Sequence, residues 1–235
     1  MNNREVPDRL PPVVVGTALT QAGVVFAPLM SKRYLRDLAR YRLMLASSGE
    51  LSSGRTTALV KWWHTLMDVM ALHQRAMNDM FWSCLHTKGP QFDGVINAMH
   101  GRFETLDASR TEAGHQLVSA LKLQKSPQSA QVSFIRFQEE MTAASLWEER
   151  EGFSQALRHF TPADWRRVES YVLALQAAED NLNHVLPWLL DGLPEEESHH
   201  VLSAFPESML ETYRSVWLPC YERFSRETWP GMRTG

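Results

Sequence analysis

A few titratable side chains stand at spacings that could support chemistry. His100 and Glu104 are four residues apart, so they share one face if this stretch is helical. His73 has Met77 four residues later, and Glu148 lies in a third stretch. Imidazole and carboxylate groups can ligate a metal ion, or can act as a general base and a general acid. The pattern therefore predicts a metal site or a proton-transfer site, provided that the fold brings these residues together.

Neighbouring residues could form the rest of such a site. Trp82, Trp147 and Met77 would supply an apolar wall, with Arg75 and Glu104 as polar assistants. Small organic ligands commonly occupy apolar cavities that contain a few polar anchors. The structural alternatives stay open: a buried histidine is usually hydrogen-bonded core, methionine fills gaps, and an acidic run usually faces solvent.

Composition restricts the class of protein. The chain has 235 residues, of which 44% are hydrophobic, enough for one extended core. Its 24 basic and 27 acidic residues are mixed, with a net charge of −3 and no basic stripe, so nucleic acid is not an expected partner. Cys84 and Cys220 are too few for a disulfide framework and fit a reducing, cytoplasmic location.

The longest mainly apolar segment is 13–30, but it contains Thr17 and Gln21 and is interrupted by Pro28. It is too polar and too short for a membrane span, so no membrane partner is expected. We interpret residues 1–30 as an N-terminal arm.

Helical periodicity dominates the rest of the chain, between glycine and proline breaks, and it predicts an all-α fold. A threonine N-cap followed by proline marks one start at Thr161. The predicted helices span about 31–46, 56–86, 92–121, 130–159 and 162–190, with one more near 194 and a last at 207–224.

Three segments resemble the hemerythrin-like (HHE cation-binding) family: 72–82 (LHQRAMNDMFW), 185–192 (VLPWLLDG) and 217–221 (WLPCY). The resemblance implies an up-down four-helix bundle over residues 31–235, with a helical C-terminal extension from about 193. In that family the bundle holds a pair of iron ions, so the resemblance also implies ligand positions. His73 and His100 match two of them.

Other ligand positions of the family hold different residues here: Lys32, Met77, Ala144 and Trp147. Methionine is a soft donor that suits iron poorly, alanine donates nothing, and tryptophan fills the space a metal would need. We therefore expect no cofactor and no two-iron centre.

Three functions remain open. The former metal cavity could bind an organic small molecule and catalyse a non-redox step, such as proton transfer, cyclisation or rearrangement, through His73, His100 and Glu148. A reduced non-haem iron site could survive on those residues with Glu104. The protein could also be a non-catalytic interaction module with a filled core. The sequence determines neither the substrate nor the oligomeric state.

Overall fold

The computed structural model describes residues 26–47, 51–123, 127–203 and 205–231. Within these ranges the chain is helical apart from short links, and it contains no strand. The predicted all-α class is confirmed. No helix in the described part of the chain is both long enough and apolar enough to cross a membrane.

The helices follow one another with short connections, and three of them contain a π-helical turn. They are α1 (Phe26–Ala46), α2 (Ser53–Ala76, then a π turn at Met77–Trp82 and Ser83–His86), α3 (Asp93–Leu123), α4 (Pro127–Trp147, then a π turn at Glu148–Phe153 and Ser154–His159), α5 (Pro162–Ala178), α6 (Leu182–Leu190), α7 (Glu195–Leu202) and α8 (Glu207–Thr212, then a π turn at Tyr213–Trp217 and Leu218–Thr228).

The first helix begins earlier than predicted. Its Phe26 backbone N–H donates to the Glu169 carboxylate over 3.1 Å, which satisfies one of the donors that a helix start leaves free. Residues 26–30 therefore belong to α1. The rest of the predicted arm, 1–25, lies outside the described residues.

The single helix predicted over 162–190 is two helices. Asp180 has a φ of 53°, a left-handed conformation that ends α5. The Asn181 backbone N–H then donates back to the Gln176 carbonyl over 2.9 Å. The start of α5 is as predicted: Thr161 Oγ1 accepts from the Asp164 backbone N–H over 3.2 Å.

A buried carboxylate, Asp37 on α1, ties several helices together. It accepts hydrogen bonds from the indole N–H groups of Trp62 on α2 (2.8 Å) and Trp188 on α6 (3.0 Å). Arg36 Nε and an Arg40 guanidinium nitrogen donate to its other oxygen over 3.0 and 3.1 Å. Both oxygens of the buried carboxylate are therefore hydrogen-bonded, which offsets the cost of removing them from water.

The same arginines extend this network to the C-terminal helices. Arg36 and Arg40 both reach the Asp191 carboxylate, at 3.1 and 3.4 Å. Tyr221 on α8 donates its hydroxyl to Asp191 over 3.0 Å. We call the set Arg36, Asp37, Arg40, Trp62, Trp188, Asp191 and Tyr221 the Asp37 cluster. It joins α1, α2, α6 and α8.

The two π turns of α2 and α4 pack against each other. Trp82 is fully buried, and a Cβ placed on Gly152 would stand 2.5 Å from the Trp82 ring. Only a residue without a side chain allows this approach. Trp82 belongs to an apolar cluster with Phe81, Phe153 and Trp165, whereas the larger core cluster lies towards α6 and α8.

We expect Asp37→Asn to lower the free energy of unfolding by roughly 3–5 kcal/mol, because it removes one of the two carboxylates with which Arg36 and the buried Arg40 pair. Urea unfolding would measure the change. Asp68→Asn, on the exposed face of α2, is the matched control and should change stability by less than about 0.5 kcal/mol. Equal effects of the two variants would contradict a stabilising role of the cluster.

Gly152→Ala should destabilise the protein by about 1–3 kcal/mol, because the new methyl group overpacks against Trp82. Gly101→Ala is the control on α3, where a Cβ meets nothing within 4 Å; that substitution should stabilise by about 0.5–1 kcal/mol. Thermal unfolding of both variants checks the opposite signs, and a stabilising Gly152→Ala would show that the two π turns are loosely packed.

Candidate functional site

A small cavity lies between α1, α2, α3 and α4. Its volume is about 20 Å³, room for about one water molecule. Besides Ser31 and Gln74, four polar side chains face it: Tyr34 from α1, His73 from α2, and Ser145 and Glu148 from α4. We call these four residues the interior site.

Apart from Ser31 and Gln74, the remaining wall of the cavity is apolar and adaptable. Four methionines contribute to it, Met70, Met77, Met99 and Met141, together with Phe103, Leu106 and Ala144. Methionine has three rotatable side-chain bonds and fills irregular spaces. The wall can therefore change shape at lower cost than a wall of branched side chains.

Each residue of the interior site has a buried polar atom that has no hydrogen-bond partner among the described residues. These atoms are Tyr34 Oη, His73 Nδ1, Ser145 Oγ and Glu148 Oε1. Buried polar groups are normally satisfied, and each one left unpaired costs roughly 1–3 kcal/mol. Four such atoms around one cavity are typical of a site built to receive a polar guest.

Burial keeps all three titratable groups of the site neutral at neutral pH. It raises the pKa of Glu148 to about 8 and lowers the pKa of His73 to about 4. It also raises the pKa of Tyr34 well above its ordinary value. The charged form is disfavoured in each case because nothing replaces its lost hydration. The cavity thus holds a neutral base and a protonated carboxylic acid.

Two of the π turns start at residues of the cavity wall. The turn in α2 begins at Met77 and the turn in α4 begins at Glu148. A π turn accommodates one residue more than an α turn, and such turns are frequent at functional sites. The local backbone thus departs from regular helix at the places where the wall meets the cavity.

The structure brings together three of the predicted site residues, His73, Met77 and Glu148. It does not bring His100 and Glu104 to them. The prediction that these two residues share a site with His73 and Glu148 is therefore wrong. Both side chains are exposed on α3, and Met99 and Phe103, one position earlier, face the cavity instead. Burying a thioether and a ring avoids the desolvation cost of an imidazole and a carboxylate.

The other predicted side chains also lie away from the cavity. Arg75 is exposed and forms an ion pair with Asp79 at 3.4 Å. Trp147 is only half-buried, with the Arg102 guanidinium 4.9 Å from its ring centroid, and it does not line the cavity, so its predicted place in the apolar wall of the site is wrong. Trp82 is buried as expected, but it packs in the neighbouring apolar cluster.

Sequence reasoning missed Tyr34 and Ser145. The first-helix ligand position was expected near Lys32, which is exposed. Tyr34, Leu38 and Tyr41 are all buried at helical spacing, and that stripe could have identified the inward face of α1. Ser145 stands out by no pattern in the sequence.

The donor set does not fit a two-iron centre. Among the described residues, His73 and Glu148 are the imidazole and carboxylate groups that line the cavity, whereas two iron ions need several such donors. The four-residue iron site with His100 and Glu104 is not assembled. In the described ranges no three or more His, Cys, Asp or Glu side chains are grouped so that they could hold a metal ion.

We expect Glu148→Gln to change the pH dependence of stability. The carboxyl has an ordinary pKa of 4.5 and a folded pKa of about 8, so the wild-type free energy of unfolding falls as pH rises across that window. The stability advantage of Glu148→Gln should therefore grow from pH 5 to pH 8 in urea unfolding.

His73→Gln is the control for this experiment, because the His73 pKa is lowered from 6.5 to about 4. Below pH 6.5 the unfolded chain binds a proton at His73, whereas the folded protein stays neutral there down to about pH 4. His73 therefore lowers the free energy of unfolding only as pH falls from 6.5 towards 4. A Glu148→Gln effect that is independent of pH between 5 and 8 would show that the carboxyl is solvated.

Comparisons of the chain with protein-family models, curated proteins and solved structures give no match. The hemerythrin-like resemblance therefore rests on the residues quoted above, and function has to be inferred from the geometry of the site.

Proposed function

We propose that the interior site performs a metal-independent proton transfer on a compact carbonyl compound. His73 Nδ1 acts as the base that removes a proton from the carbon next to the carbonyl, and Glu148 acts as the acid that protonates the carbonyl oxygen. One observation carries this proposal: an unpartnered neutral imidazole and an unpartnered protonated carboxyl face the same small cavity.

The proposed step balances within the site. The C–H electron pair becomes the new C=C bond, the carbonyl π electrons move to oxygen, and the oxygen takes the Glu148 proton. The product is an enol beside a protonated His73 and an ionised Glu148. When the substrate is a β,γ-unsaturated carbonyl compound the enol is a dienol; returning the His73 proton to its γ carbon, and the oxygen's proton to Glu148, gives the conjugated α,β-unsaturated isomer and restores both residues. Tyr34 can donate a second hydrogen bond to the oxygen.

The size of the cavity limits the substrate. Space for about one water molecule admits a molecule of a few heavy atoms only if methionine side chains move aside. Met77 and Met99, on facing helices, can do so because the thioether chain has several rotamers of similar energy. This favours a compact carbonyl compound over a large or rigid ligand.

We propose that the scaffold is a hemerythrin-like four-helix bundle formed by α1–α4. The interior site draws its residues from three of these helices and the methionine wall from all but α1. In this interpretation the family's metal cavity has lost its donors and kept one imidazole and one carboxyl. The small molecule would then take the place of the metal.

Hydrogen–deuterium exchange at the methyl groups of acetone, followed by NMR in D₂O, tests the proposal. The wild-type protein should accelerate exchange above the buffer rate, and His73→Gln should lose about 100-fold or more of that acceleration, a usual size for general-base catalysis. Activity should be constant between the pKa values of His73 and Glu148, about 4 and about 8, because both groups are neutral there. It should fall above pH 8 as Glu148 ionises.

Methyl NMR of labelled methionine provides the second measurement. Acetone should shift the methyl signals of Met77 and Met99 but not that of Met44, a buried methionine outside the cavity wall. If acetone shifts none of the four cavity methionines and exchange stays at the buffer rate, the proposal fails and the filled-core interaction module is favoured. About two iron atoms per purified chain would also overturn it.

A further inference from the structure

A second, larger cavity lies on the surface between α2, α6 and α8, with a volume of about 370 Å³. Four aromatic side chains form most of its wall: Trp62, Trp217, Tyr221 and Phe224. We call it the aromatic cleft. Its size is within the range of about 300–1,000 Å³ that is typical of small-molecule sites, and it shares no lining residue with the interior site.

Two of the aromatic walls are held in place from behind. Trp62 donates its indole N–H to Asp37, and Tyr221 donates its hydroxyl to Asp191. Phe224 packs on Trp62 with a distance of 5.3 Å between the ring centroids. Trp62 and Tyr221 are buried, and their polar ends are already bonded, so the parts of these rings that reach the cleft are apolar and pre-organised for a flat ligand.

Among the described residues that line the cleft, the cationic side chain is Lys61. Lys61 is exposed and makes no ion pair with any residue in the described ranges. His184 lies close to Lys61. Burial lowers the pKa of His184, the nearby Lys61 charge lowers it further, and Asp180 raises it. An unpaired ammonium group at the edge of an aromatic pocket favours a ligand with an anionic group.

A buried amide oxygen supplies an independent indication of a ligand. Asn183 lines the cleft, and its Oδ1 is buried with no hydrogen-bond partner in the part of the chain that the structure describes. A buried acceptor left unsatisfied is costly, so a bound molecule that offers an N–H or O–H would recover this energy. The cleft therefore favours a ligand with three features: a flat apolar ring, an anionic group and a hydrogen-bond donor.

We propose that the aromatic cleft binds a planar aromatic carboxylate that carries a ring N–H, as an indole carboxylate does. The ring lies against Trp62 and Trp217, the carboxylate pairs with Lys61, and the ring N–H donates to Asn183 Oδ1. This site goes beyond the proton-transfer function and does not depend on it.

Calorimetric titration of the full chain with four probes tests each requirement. Indole-3-acetate should bind at least about tenfold more tightly than indole-3-acetamide, which lacks the charge. The affinity of indole-3-acetate should also exceed that of naphthalene-1-acetate, which lacks the N–H, by a similar factor. Tryptamine, with a cationic group in place of the carboxylate, should bind more weakly than the amide.

Single substitutions then assign each preference to a residue. Lys61→Gln should remove the preference for acetate over acetamide, and Asn183→Leu the preference for indole over naphthalene. Trp217→Ala should weaken all probes. Lys122→Gln, an exposed lysine on α3, and His73→Gln in the interior site are the controls and should leave all affinities unchanged.

Absence of saturable indole-3-acetate binding overturns the proposal. So does a charge preference that survives Lys61→Gln, or a donor preference that survives Asn183→Leu. Because His73→Gln is a control here, failure at the cleft and failure of the interior proton-transfer site give different results.

Discussion

The buried carboxylate of Asp37 is the interaction on which the arrangement of the other helices depends. It receives two indole N–H groups and two arginines, and those arginines continue to Asp191 and Tyr221. A carboxyl group is costly to bury without partners, but its donors here offset that cost and fix the position of each helix that supplies one. The C-terminal helices are thereby held against α1 and α2, and the aromatic cleft is the space left between them.

Asp37 and Glu148 are both buried carboxyl groups, but Asp37 has a structural role whereas Glu148 belongs to the candidate functional site. Both carboxyl groups are buried, but every donor that Asp37 needs is in place, whereas Glu148 has an unpartnered oxygen and a pKa raised to about 8. Natural proteins tolerate unsatisfied buried polar groups mainly where function requires them. His73 shows the same pattern with the opposite pKa shift. Neutral acid and neutral base are the combination that proton transfer at neutral pH requires.

The site residues that could be predicted from sequence are those on helices whose inward-facing side is clear from the spacing of apolar residues. The spacing of apolar residues places His73 and Met77 on the inner face of α2, and both line the cavity. On α3, two candidate inner faces differ by a single position, His100 with Glu104 or Met99 with Phe103. A one-residue shift on a helix rotates a side chain by about 100°, so spacing alone does not choose between them. In the folded protein Met99 and Phe103 face inward, because burying His100 and Glu104 would remove their hydration without supplying hydrogen-bond partners.

The sequence by itself determined the helical class, the approximate extent of most helices and the start of α5 at Thr161, because periodicity, capping and proline are local properties. It also marked His73 and Glu148 as candidates. Only the tertiary structure decided that Tyr34 and Ser145 join them, that Trp147 is half-buried outside the cavity, and that Asp37 is the centre of the network. These outcomes depend on contacts between residues far apart in the chain, such as Asp37 with Trp188, and the pattern of one helix carries no information about its distant partner.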